Sequence, residues 1–216
     1  MSTVALSEVA HASDGDPEVD DAVLAARAPG PAAGGGLVIS LGTALVMAAD
    51  LMMLGAVIAA YFAVKDGSAA WPPRGVSVGT YVPTVVTITA VMSAFSAQWA
   101  VYAARRNDPR NVTIGLVLTL VFALAMGNAE WLALTSAGFG ISSHAYGTFY
   151  FLLYGYHLVH VLVGVPLLGM VAARALSGQF SRQSHETVRA TAIFWHSANV
   201  VWFIVVTALF LLSRHG

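Results

Sequence analysis

Five ionisable side chains lie in otherwise apolar stretches of this chain: Asp50, Glu130, His157, His160 and His196. Carboxylates and imidazoles are the materials of general acid–base chemistry, and histidines are common axial ligands of haem. Gln98, Asn128, Asn199 and Trp202 add milder polar groups in the same stretches. Spacing decides among these chemistries. His157 and His160 are three apart on one helix, so their directions differ by about 60°. At the helical rise per residue, His196 on another helix is offset from them in depth by more than about 10 Å. A bis-histidine haem needs ligands from two helices at one level, and that pair is missing. A copper or iron site fares no better: His157 and His160 supply two ligands, and Glu130 or Asp50 reaches a third position only with difficulty. The chain contains no cysteine, which excludes thiolate metal sites, disulfides and cysteine nucleophiles. Ser93 and Ser96 share a helix with no histidine or carboxylate, and no G-x-S-x-G, H-E-x-x-H or P-loop occurs. The expectation is a chain with no catalytic residue, no metal ligand set and no redox cofactor of its own.

The elements that must position these groups follow from composition. Of 216 residues, 57% are hydrophobic and 10% charged, with 10 Lys and Arg against 11 Asp and Glu. Such a charged fraction, with long apolar runs, excludes a water-soluble globule, and the neutral balance excludes a nucleic-acid binder. Five apolar segments, 37–64, 81–104, 112–135, 146–174 and 190–213, each reach the roughly 20 residues a helix needs to cross hydrocarbon. Spanning segments must satisfy their own backbone hydrogen bonds, so an all-α bundle of five transmembrane helices is expected. Residues 1–36 differ: they hold Glu8, Asp14, Asp16, Glu18, Asp20 and Asp21, a single basic residue and a Pro/Gly/Ala run. They read as a disordered acidic tail on the cytoplasmic side, ahead of a membrane domain at 37–216. Arg27, Arg105, Arg106, Arg110, Arg174, Arg182 and Arg189 fall on the tail's side, and Lys65, Arg74 and Arg214 on the other. That asymmetry places the N-terminus inside and the C-terminus outside. An odd number of spans with no internal repeat is poor material for an inverted-repeat carrier.

Counted from the tail's side of the membrane, the rise per residue puts Asp50 at about 20 Å and His160 at about 21 Å. His157 comes at about 25 Å, Glu130 at about 27 Å and His196 at about 9 Å. Asp50 therefore shares a level with His160, and Glu130 with His157. A carboxylate beside an imidazole satisfies both groups in low dielectric, so two inter-helix pairs are expected. The stripe Trp195, Asn199, Trp202 follows helical spacing and reads as core or interface.

These residues sit in phrases that resemble subunit III of the haem–copper oxidases, the cytochrome c oxidase type. In order, they are Ala60-Tyr61-Phe62 with Trp71-Pro72-Pro73, Asn128-Ala129-Glu130-Trp131, and Tyr146-Gly147-Thr148-Phe149-Tyr150. Gly155-Tyr156-His157-Leu158-Val159-His160-Val161-Leu162-Val163-Gly164 and Phe194-Trp195-His196 with Val200-Val201-Trp202 complete the series. The resemblance implies a non-catalytic, multi-pass subunit of a bacterial plasma membrane. Haem and copper would belong to subunits I and II, while this chain stabilises subunit I, binds phospholipid and supports proton uptake. Asp50, Glu130, His157, His160, His196, Asn199 and Trp202 would then be lipid-contacting or bundle-organising residues. Five spans resemble the shorter bacterial form. Two departures stand out: Ala49-Asp50 where the family has Ser-Glu, and Asn199 where it has an aspartate. The run from Phe149 to His160 resembles the branch associated with nitric oxide reductases, which leaves a nitric oxide reductase complex as the alternative partner.

Overall fold

A computed structural model describes residues 35–178 and 182–212; the tail expected at 1–36 falls, up to residue 34, outside the described residues. Five helices follow in order: α1 (Gly35–Asp66), α2 (Tyr81–Arg105), α3 (Pro109–Thr135), α4 (Ala145–Leu176) and α5 (Arg182–Val206). All five are long and apolar enough to cross a membrane, and there is no strand among the described residues. The side of the membrane where α1 begins is called the near side below, and the opposite one the far side.

The helix ends are written in local chemistry. Asp108 caps α3: its Oδ1 accepts from the Asn111 backbone N–H at 3.1 Å, and its Oδ2 from the Asn111 amide at 2.6 Å. Pro109 occupies the first turn, where its missing N–H is not needed. These hydrogen bonds hold the Asp108 carboxyl below the usual carboxylate range, the backbone bond being the larger cause. α2 closes on Asn107, at φ 54°, in the left-handed region that Asn tolerates. α4 is capped by a histidine: His144 Nδ1 accepts from the Gly147 N–H at 2.7 Å. α5 starts at Arg182, eight residues before the apolar segment at 190. Its first two turns are polar, so hydropathy marks where the helix enters hydrocarbon and not where it begins. It ends in a π-helical turn, Thr207–Leu211, where the Leu212 N–H donates to the Thr207 carbonyl at 3.0 Å.

Helices α2, α3, α4 and α5 form a closed ring of neighbours, α2 against α3, α3 against α4, α4 against α5, and α5 back against α2. Small residues set the closest approach. A Cβ added to Gly115 would lie 2.9 Å from the Ala100 Cβ, so α2 and α3 are nearly in backbone contact there. A Cβ on Gly164 would lie 2.7 Å from the Trp195 ring, which lets that indole fill the space between α4 and α5.

α1 stands apart from this ring. Its fully buried residues are Ser40, Met47, Leu54 and Tyr61, one every seven residues, with Asp50, Leu51, Val57 and Ile58 half-buried between them. A seven-residue seam is the signature of knobs-into-holes contact along a single narrow line. Only 17% of its apolar window is buried, against 50% for α5. α1 runs parallel to α5 and is tied to it at both ends. Ser40 Oγ donates to Glu186 at 2.8 Å near the start, and Tyr61 to the Ala208 carbonyl at 3.2 Å with Lys65 to the Leu212 carbonyl at 2.6 Å near the end. The partners are offset by 146, 147 and 147 residues, so the register holds along the pair.

Candidate functional site

Four of the five ionisable residues of the spans come together as two acid–histidine pairs, built on His157 and His160 one turn apart on α4. The first joins α1 to α4. Asp50 Oδ2 lies 2.9 Å from His160 Nε2, and the Tyr156 hydroxyl donates to Asp50 Oδ1 at 2.6 Å. The other imidazole nitrogen, Nδ1, donates to the Tyr156 carbonyl at 2.8 Å. Tyr156 and His160 are one helical turn apart, which brings the hydroxyl, the carbonyl and the ring to one spot on α4. His160 thus lies between a carbonyl and a carboxyl, and one proton must sit between Nε2 and Oδ2. Either the imidazole is cationic beside a carboxylate, or a carboxylic acid donates to a neutral ring. Both states are net neutral, which suits a group in hydrocarbon. The aromatic faces of Tyr156 and Phe194 flank His160, with ring centroids 5.2 and 6.1 Å away.

The second pair joins α3 to α4 in the centre of the ring. Glu130 Oε1 lies 2.6 Å from His157 Nδ1, and both side chains are fully buried. Trp202 of α5 packs on His157 at 5.1 Å between ring centroids and edge-on to Tyr154 at 5.5 Å. Its indole N–H donates to Thr87 of α2 at 3.0 Å. All four helices of the ring therefore meet around this pair.

The remaining expected residues divide. Asn199 is buried, and its amide donates to Ser93 Oγ at 3.4 Å; the Trp195 N–H reaches the same oxygen at 3.1 Å. His196 does not join either pair. It is half-buried, turned towards Gln98 of α2 at 3.3 Å. Both depth levels read from the sequence therefore hold as contacts, because helices of one bundle keep nearly the same rise per residue. Tyr156 and Ser93 were missed as partners. The periodicity offered a signal for Tyr156, one turn from His160 on the same face. Nothing in the sequence distinguishes Ser93 as an acceptor hub from a serine that only allows close packing.

Two apolar grooves flank the Asp50 anchor where α1 stands off. The near-side groove, about 390 Å³, is walled by Ile39, Val46, Met47, Leu167 and Phe194, with Thr187 and Thr191 at its edge. The far-side groove, about 350 Å³, is walled by Ile58, Phe62, Val200, Phe203 and Ile204. Both are lined mainly by apolar side chains.

Comparison with known proteins gives the family. The family model for cytochrome c oxidase subunit III matches residues 33–213. Cytochrome c oxidase subunit 3 of Thermostichus vulcanus is 26% identical over 81% of this chain and 87% of that protein. Probable cytochrome c oxidase subunit 3 of Mycobacterium tuberculosis (strain H37Rv) is 28% identical over 81% of this chain and 88% of that protein. The wheat protein, from Triticum aestivum, is 29% identical over 65% of this chain and 54% of its own length. With the match running from the first helix through the last, the chain belongs to the cytochrome c oxidase subunit III family.

Proposed function

We propose that this chain is the non-catalytic subunit III of a respiratory haem–copper oxidase of a bacterial plasma membrane, with its N-terminus in the cytoplasm. It stabilises subunit I, holds phospholipid between its helices and supports proton uptake, while haem and copper reside in the partner subunits. The family match across 33–213 is the observation that carries the subunit assignment. The lipid role is supported by the stand-off of α1. One polar anchor, Asp50 with Tyr156 and His160, pins that helix at mid-height and leaves an apolar groove above and below it. Thr187 and Thr191 line the near-side groove, where a lipid headgroup would lie. The partner role is supported by polar groups on the outer surface of the spans. Asn128 of α3 is exposed, and the Gln98–His196 contact lies at the surface of α2 and α5. Polar groups facing hydrocarbon are costly, and a neighbouring subunit would cover them.

Native purification through a tag on this chain tests the reading. It predicts co-purification of subunits carrying haem a and copper, with phospholipid retained through washing. A partner carrying only b-type haem would instead favour the nitric oxide reductase complex. A Soret band from this chain alone would overturn the assignment.

A further inference from the structure

The Glu130–His157 pair has a second property that bundle organisation does not use. Its two inner atoms, Glu130 Oε1 and His157 Nδ1, are tied to each other at 2.6 Å. Its two outer atoms, Glu130 Oε2 and His157 Nε2, are fully enclosed and have no hydrogen-bonding side chain or backbone group in range. Two more buried polar atoms in the same core share that condition: the Tyr154 hydroxyl and Asn199 Oδ1. Buried polar groups are almost always hydrogen-bonded, and four orphans in one bundle core call for a shared explanation. All four belong to residues that are at most 3% exposed.

Their arrangement gives a direction. Tyr154 lies one turn from His157 on α4 towards the far side, and both rings pack on Trp202. Glu130 lies within electrostatic reach of Tyr154. Beyond Tyr154 is a cavity of about 190 Å³, lined by Tyr150 and Tyr154 on α4, Val82 on α2, Ala133 and Ser136 at the end of α3, and Ser77 before α2. Tyr150 turns its hydroxyl towards the Ala133 carbonyl at 3.5 Å and also lies within electrostatic reach of the Tyr154 hydroxyl. The exposed Ser136 and Tyr81 at its rim open this cavity to the far side. Further towards the near side, Gly115 of α3 closely approaches Ala100 of α2.

We propose that Glu130, His157, Tyr154 and Asn199 form an internal hydrated proton-binding site, filled from the far side through this cavity. Water hydrogen-bonded to the four orphan atoms is the ligand, and the bound species is a proton. Because Nδ1 and Oε1 occupy each other, protons enter or leave the pair through Nε2 or Oε2. Protonation of Nε2 makes an imidazolium beside the carboxylate. Its loss leaves a neutral ring, with Nδ1–H still donating to Oε1. The deprotonated pair then carries one net negative charge, on the Glu130 carboxylate, which water at Oε2 solvates. The titratable groups facing the pair are Tyr154 and, a further turn out, Tyr150. α5 presents Trp202 and Asn199, α2 brings Thr87 and Ser93 behind them, and Asp50 and His160 lie on the α1 side of α4. This inference does not depend on which enzyme complex the chain joins.

Histidine nitrogen NMR of the full-length chain in lipid nanodiscs tests it, with His157 assigned through His157→Gln or, if that variant does not fold, through the perturbation by Tyr154→Phe. The expected result is a His157 Nε2 proton that exchanges with water, with a nitrogen shift that changes with pH. Ala133→Leu or Val82→Phe, which fill the cavity from opposite walls, should suppress that exchange while leaving the thermal melt unchanged. A wild-type Nε2 with no exchange with water, or exchange unaffected when the cavity is filled in a folded variant, would overturn the proposal.

Discussion

Asp50 and Glu130 face the same physical problem in different settings. A carboxyl placed alone in hydrocarbon costs about 2.5–3.5 kcal/mol on insertion scales, and each is offset by an imidazole on α4. Glu130 is fully enclosed and Asp50 only partly so, which orders the expected damage. Glu130→Ala leaves His157 without its partner and should cost about 3–5 kcal/mol, the range for breaking a buried pair. Asp50→Asn keeps the shape and an acceptor for Tyr156, so a smaller loss of about 1–3 kcal/mol is expected. Removing the lipid-facing Leu45, by contrast, should leave the melt in detergent almost unchanged, since that side chain is 63% exposed. If Asp50→Asn melts no earlier than Leu45→Ala, the Asp50 anchor does not organise the bundle. The pairings themselves were legible in the sequence, because depth along a helix is linear in residue number. Rotation was harder to read. Tyr156 as the third member of the Asp50 cluster, and Ser93 as acceptor for Trp195 and Asn199, depend on side-chain directions that depth does not encode.

Among the helices, α1 departs most from what its composition suggests. Its apolar residues lie all round it, so hydropathy gives no direction for its contact face. Packing selects one seven-residue seam, and the rest of the surface is left for lipid or a partner. Number and placement of the spans were readable from length and apolarity; the stand-off of α1, the early start of α5 and its terminal π-turn were not. Those depend on tertiary contacts such as Tyr61 with Ala208 and Lys65 with Leu212. A direct test of element packing is Gly115→Ala. The new methyl meets Ala100 and the Ser96 carbonyl, so α2 and α3 must separate, at about 1–3 kcal/mol. Gly169→Ala meets nothing within 4 Å and should be neutral or slightly stabilising in the same melts. The α2–α3 loop carries a pH dependence of its own. Asp108 is held below the ordinary carboxylate range by the Asn111 hydrogen bonds. Its capping contribution is therefore complete above the unfolded value near about pH 3.9 and is lost as pH falls through the lower folded value. Asp108→Ala should remove that acid-side dependence in melts followed against pH.

On the scale of the whole molecule, a closed four-helix ring carries a fifth helix on one polar anchor and a narrow seam. Such a design makes a firm scaffold with two grooves at its side, and the lipid-holding role proposed above rests on those grooves. Lipid retention should therefore follow the anchor. Asp50→Ala is expected to reduce phospholipid recovered with the purified complex, measured by mass spectrometry, while a substitution on the opposite side of the ring, at Val121 of α3, leaves it unchanged. The central claim is that this chain serves redox partners without a redox centre of its own. Tagged native purification, followed by an optical spectrum of the complex and of the separated chain, tests it most directly. The account predicts haem a and copper subunits in the complex and a colourless separated chain; a haem spectrum that stays with the separated chain would contradict it.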